Sequence, residues 1–131
     1  MDLDSGIVRL DSKGRILIPA RIRKLMGIKK GASILITSDN ENNELRIFPL
    51  TAEKTVRMRF IVSNQIEGTR IVNDKLHAYN MSILMSLSRR ISKNLTELDM
   101  IVETNGYREF ERMREELISS GPVRKVEIKN I

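Results

Sequence analysis

The chain has 131 residues, 40% apolar and 31% charged, a balance that reads as soluble and globular and excludes an unfolded polyelectrolyte. With no cysteine, disulfides, thiolate chemistry and cysteine-held metal are excluded. The net charge of +6 favours a polyanionic partner, and it is local: Arg9 to Lys30 holds eight basic residues against Asp11, a net of +7, so the remainder sums to −1.

Taken in chain order, GIVRL reads as a short strand, DSKG as a turn and RILIP as a second strand stopped by Pro19. ARIRKLM then puts Ile22, Leu25 and Met26 at i, i+3 and i+4, one apolar stripe of a short helix that Gly27 terminates. The strand ASILITS, the polar loop DNENNE and the strand LRIFP complete a unit of about 50 residues, too small to enclose a good core alone. Such a unit is expected to find its core by dimerising. FPLTAEKT, residues 48 to 55, reads as a linker.

Beyond the linker the pattern becomes strand, helix, strand, strand, helix, strand. TVRMRFIV alternates Val56, Met58, Phe60 and Val62 against Arg57, Arg59 and Ile61. A helix follows over GTRIVNDKLHAY, with Ile71, Val72, Leu76 and Tyr79 on one side. MSILMSLSRRI sets Ile83, Met85 and Leu87 opposite Ser82, Ser86 and Ser88. TELDMIVE sets Leu98, Met100 and Val102 against Glu97, Asp99 and Glu103. Residues 107 to 119 form a helix on Phe110, Met113 and Leu117, and the last strand turns Val126 and Ile128 inward. The fold class expected is therefore α+β, its second part a βαββαβ ferredoxin-like sandwich over residues 56–131. In that topology the first and third strands are neighbours, so Arg57 and Arg59 face Glu97 and Asp99.

The first 50 residues resemble the AbrB/SpoVT-type swapped-hairpin DNA-binding domain. DSKGRILIP, IRKLMGIKKG and the paired strands carry the likeness, with Gly14-Arg15, Ile18-Pro19 and Leu25-x-Gly27-Ile28 at the family spacing. The resemblance implies a homodimer whose two chains interleave their hairpins into one barrel-like body over residues 1–50. It implies binding of double-stranded DNA, as a transcription regulator or as the antitoxin of a toxin–antitoxin pair. The family's DNA-contacting basic positions fall on Arg9, Arg15, Arg23 and Lys24. At Lys24 an arginine is common, and lysine keeps the attraction to phosphate while losing the bidentate fork. Helix geometry adds Arg21, which flanks the apolar stripe beside Arg23.

The second part is similar to ACT-type regulatory domains in Gly68 after its first strand and in YNMSI, residues 79 to 83, although Glu67 stands where the family has a proline. That likeness implies side-by-side pairing, giving a dimer or tetramer, and a small-molecule effector such as an amino acid. The effector would sit on the SNQIEG loop, where Asn64, Gln65, Glu67 and Gly68 are the candidate residues.

Other residues carry blander readings. Asp11 is a turn-former and the acidic loop a hairpin end. GIKKG lacks the phosphate-loop spacing. His77, the only histidine, falls on the exposed helix side, and the methionines fill core or interface. The serines have no activating base. Neither paired carboxylates nor a ligand cluster points to an enzyme, a cofactor or a metal. No apolar run approaches the roughly 18 to 20 residues that cross a bilayer, and the opening MDLDSGIVRL lacks a secretory core, so a cytoplasmic protein without membrane contact is expected. The expectation is a DNA-binding transcriptional regulator acting as a homo-oligomer; the alternative is an antitoxin whose C-terminal part masks a toxin.

Overall fold

A computed structural model describes residues 5–131; the acidic opening, on which the signal-peptide reading rests in part, lies largely outside the described residues. The chain divides into two compact units, one ending at Pro49 and the other spanning Leu50–Ile131.

In the N-terminal unit the elements are α1 (Ala20–Met26), β1 (Ser33–Asp39) and β2 (Glu44–Leu50), the two strands forming one small sheet. GIVRL and RILIP, expected as strands, are not: residues 5–11 and 15–19 carry no regular structure. Both have the apolar residues of a strand, but a strand exists only with a ladder partner, and this chain supplies none along their length. What does form is the turn between them. Gly14 N–H donates to the Asp11 carbonyl at 3.1 Å and Asp11 N–H to the Arg15 carbonyl at 3.0 Å. Gly14 adopts the left-handed conformation (φ 78°) that closes a three-residue hairpin loop. Helix α1 follows Pro19 and ends at Gly27 (φ 67°), where Ile28 and Gly27 N–H bond the Arg23 and Lys24 carbonyls in a double cap.

The C-terminal unit contains β3 (Thr55–Val62), α2 (Gln65–Ala78), β4 (Ser82–Ser92), β5 (Leu95–Glu103), α3 (Phe110–Ser119) and β6 (Val123–Asn130). Its sheet has the order β4-β5-β3-β6 with antiparallel neighbours throughout. Val56, Met58, Phe60 and Val62 of β3 are wholly buried, as their alternation requires, and pack with Leu98, Met100 and Val102 of β5. Val72 and Leu76 of α2 and Met113 and Leu117 of α3 close the core from one side. On the opposite face Arg57 makes a two-pronged contact with Asp99, at 2.9 and 2.6 Å. That contact holds the Asp99 carboxyl below the usual carboxylate range. Arg59 lies 3.9 Å from Glu97 and 3.8 Å from Asp99, so the cross-strand charge pairing expected of these four residues is present.

Two expectations need correction here. Ile83, Met85 and Leu87 do not share a face. The β4–β5 register shifts between Ile83 and Met85, so Ile83 sits opposite buried Val102 while Met85 and Leu87 sit opposite Ile101 and Asp99. One extra residue in an edge strand reverses every side chain beyond it. Leu87 is left 59% exposed.

The SNQIEG segment is also not a loop. Helix α2 begins at Gln65, capped by the Asn64 side chain, which accepts from Glu67 N–H at 3.0 Å. Gly68 is a buried helical residue, and a Cβ there would lie 2.6 Å from Val62 Cβ. The glycine lets helix and strand touch. Gly68→Ala gains about 1 kcal/mol of helix propensity but pushes on a valine that cannot rotate away. A net loss of about 1–3 kcal/mol is expected in urea denaturation. It should persist in part when Val62→Ala is already present, because alanine removes the Cγ contacts at 2.8 and 3.0 Å but keeps the Cβ at 2.6 Å.

Candidate nucleic-acid interface

Every basic residue from Arg9 to Lys30 is exposed and belongs to the N-terminal unit. Their backbone settings differ, and so does their order.

Arg15 leaves the Asp11–Gly14 turn already aimed. One oxygen of the Asp11 carboxylate accepts Lys13 N–H and Arg15 N–H, each at 2.9 Å, which fixes the turn. The other accepts Arg15 Nε–H at 2.8 Å. The Arg15 backbone and guanidinium together hold the Asp11 carboxyl below its ordinary value, so the carboxylate stays ionised at physiological pH. With Nε engaged, the two terminal nitrogens of a 70% exposed side chain point to solvent as a ready fork. Sequence reading treats Asp11 as a turn-former only; the Asp-to-Arg spacing of four across a tight turn is the signal for its second task.

Arg23 is aimed in the same manner. Its Nε–H donates to the Ile18 carbonyl at 3.0 Å, which also ties α1 to the segment leading out of the turn. Arg23 and Lys24 lie in the last turn of α1, where cations complement the helix dipole. Arg9, Arg21 and Lys24 are exposed on the same unit. The structure thus ties Arg15 to the turn and Arg23 to the turn's outgoing arm.

The same unit also carries an apolar surface. None of the described residues up to Pro49 is buried. Val8, Ile16, Ile18, Ile22, Met26 and Ile47 line an open hollow of about 330 Å³. Of the α1 stripe, Leu25 and Met26 remain 47% and 54% exposed, and Leu10, Leu17 and Leu45 are exposed by 64% or more. A unit that leaves this much apolar surface in water has not completed its core.

The other predicted residues lie in the C-terminal unit. Asn64, Gln65, Glu67 and Gly68 form the cap and first turn of α2, with Gln65 Nε2 3.4 Å from Ser88 Oγ. His77 is exposed on α2. Among the described residues no helix is long and apolar enough to cross a membrane.

Comparison with known proteins gives three likenesses. Residues 7–55 match the family described as antidote-toxin recognition MazE, bacterial antitoxin. A curated relative, the transcriptional regulator MraZ of Shewanella loihica, is 33% identical over 64 residues, 49% of this chain. The match spans 42% of that relative's length. Among solved structures, the C-terminal domain of the MgtC protein from Mycobacterium tuberculosis superimposes with a TM-score of 0.54 at 12% identity. It covers 63% of this chain and 92% of that one, a likeness of fold alone.

Proposed function

We propose that this chain is a DNA-binding transcription regulator that works as a homo-oligomer, gripping duplex DNA through paired N-terminal units. The observation that carries the reading is the coexistence of two surfaces on one small unit: pre-aimed arginines at the Asp11–Gly14 turn, and an apolar hollow with no cover. In the swapped-hairpin arrangement two copies close each other's hollow, and segments 5–11 and 15–19 acquire the ladder partners they lack in one chain. Two turns, each with its Arg15, then face the same duplex. Arg9, Arg15, Arg21, Arg23 and Lys24 neutralise phosphates, and the arginine forks read guanine edges. The name of the MraZ relative, a transcriptional regulator, points the same way.

For the C-terminal unit the finer reading is a ferredoxin-like, ACT-type domain that extends the dimer to further contacts. The sheet order β4-β5-β3-β6, with both helices packed on one core, supports it. Control by an amino-acid-like effector at Asn64, Gln65, Glu67 and Gly68 belongs to this reading. Such a ligand has to act from outside the α2 cap, because Val62 already fills the space above Gly68.

A second reading follows from the description of the matching family: an antitoxin whose C-terminal part covers a toxin. Against it, the residues beyond 55 close a core of their own, with Phe60, Met58 and Leu76 wholly buried, and need no partner to fold. Both readings allow DNA binding, so a titration tests the DNA grip and co-purification of a partner protein separates the two. Fluorescence anisotropy on the DNA upstream of the protein's own coding sequence should show binding that weakens steeply with salt, by a species that sediments as a dimer or tetramer. A folded dimer that ignores DNA at low salt would overturn the first reading, and co-purification of a small protein from the same operon would then favour the second.

A further inference from the structure

The C-terminal sheet gathers a second basic cluster that no single stretch of sequence carries. Its last two cross-strand rows run Arg90, Thr96, Val62, Val123 and then Arg89, Glu97, Ile61, Lys125. The β4–β5 turn adds Lys93 at the same end. Arg124 adds a further cation there, because it falls at the register shift between β3 and β6 and is the residue left over. Sequence separations of about thirty residues thus collapse onto one pole of the sheet, about 14 Å across four strands.

The charges at this pole are unevenly matched. Arg90, Lys93, Arg124 and Lys125 are exposed, and none of them takes a hydrogen bond or ion pair within the described residues. The acids nearby are already engaged. Glu97 is gripped by Arg89 at 2.7 Å, and Glu67, on the first turn of α2, lies 3.6 Å from Arg70. Elsewhere on the open face Asp99 pairs with Arg57, and Glu127 with Lys129 at 3.0 Å. Uncompensated like charge is therefore concentrated at this end, where it repels itself and attracts polyanions.

We propose that this pole is a second, sequence-independent phosphate-binding surface, and that its partner is duplex DNA flanking the site held by the N-terminal units. The identity of the partner rests on the DNA-binding reading above; the charge cluster stands without it. Duplex DNA presents one phosphate charge per about 1.7 Å of axis, so a sheet end about 14 Å wide meets several. The N-terminal grip also holds DNA at high effective concentration near the rest of the chain, which makes weak contacts count. No base needs to be read, so the flexible ends of Lys93 and Arg124 suffice, without the ordering that Asp11 imposes on Arg15.

The test is the full-length variant Arg90→Gln/Lys93→Gln/Arg124→Gln, compared with wild type on duplexes of increasing flank length across a salt series. All three side chains are exposed, so its thermal melt should match wild type. On long duplexes its plot of log affinity against log salt should be shallower by roughly 3 for each copy whose pole meets the DNA. Its affinity should also stop rising with flank length where that of wild type still climbs. An unchanged slope on the long duplexes would overturn the proposal. Wild type that binds no duplex, or binds one indifferently to Arg15→Ala, would instead overturn the underlying DNA reading. Capture of wild type by phosphatidylserine vesicles, lost in the triple variant while the DNA slope stays the same, would assign the pole to a membrane surface and refute the choice of DNA.

Discussion

Arg15→Ala is expected to lower affinity for the specific duplex by about 30-fold to 10⁴-fold, while the variant melts and sediments like wild type. The magnitude comes from one well-placed arginine contact being worth about 1–3 kcal/mol. A two-fold symmetric grip loses it twice, and about 1.4 kcal/mol corresponds to a factor of ten. Stability should hold because the side chain is 70% exposed and its one internal partner, Asp11, is exposed as well. The salt dependence should also flatten by roughly 2, one unit for each copy. Wild-type affinity in the variant would remove this residue from the interface.

Asp11→Asn sharpens the same test. Asparagine keeps an oxygen for the N–H groups of Lys13 and Arg15, so the turn survives. It loses the charged oxygen that holds Arg15 Nε. It also removes one negative charge from a surface that meets phosphates. Binding to random duplex should therefore tighten slightly, while binding to the specific duplex weakens because the fork is no longer aimed. Opposite signs on two DNAs are a result that simple unfolding cannot produce. In an Arg15→Ala background the loss of discrimination should vanish.

How far the fold is legible depends on whether the deciding partner lies within the same stretch of chain. The alternation in β3 is enough to place Val56, Met58, Phe60 and Val62 inside, because a two-residue period is a property of the strand itself. Opposite charges on two such strands then suggest their pairing, and Arg57 and Arg59 do meet Asp99 and Glu97. The start of α2 is misplaced by the sequence reading although a signal is present: Asn64 followed three residues later by Glu67 is a capping pattern, obscured by a glycine that looks like a loop residue. The bulge in β4 leaves no such mark, since inserting one residue changes no local preference. Nor does a sequence reveal that Arg89, Arg90 and Lys93 share a pole with Arg124, because only strand order brings these two distant stretches together. At the candidate interface the reverse holds. Arg15 and the glycine turn are local features and can be read directly, whereas the strands expected on either side of the turn depend on a partner outside the chain.

That dependence sets the second large effect. Ile16 stands one residue beyond Arg15, 46% exposed on the wall of the apolar hollow. If the single chain were the working form, Ile16→Asp would add one charge to an exposed site and change stability by no more than about 0.5 kcal/mol. If two copies close the hollow, the same change places a carboxylate inside a shared apolar core twice over. The effective penalty is then several kcal/mol for each ion. Ile16→Asp is accordingly expected to lose the N-terminal pairing, so that any association left is that of the C-terminal units. It should also lose specific DNA binding, since one turn alone supplies only half of the phosphate and base contacts. The C-terminal unit should keep its own unfolding transition, because its core of Phe60, Met100 and Leu117 contains no residue of the hollow. A calorimetric scan separates these outcomes: loss of a concentration-dependent transition beside an unchanged one is the expected pattern. Dimeric Ile16→Asp with intact binding would show that the hollow faces water in the working protein, and the paired grip would fall with it.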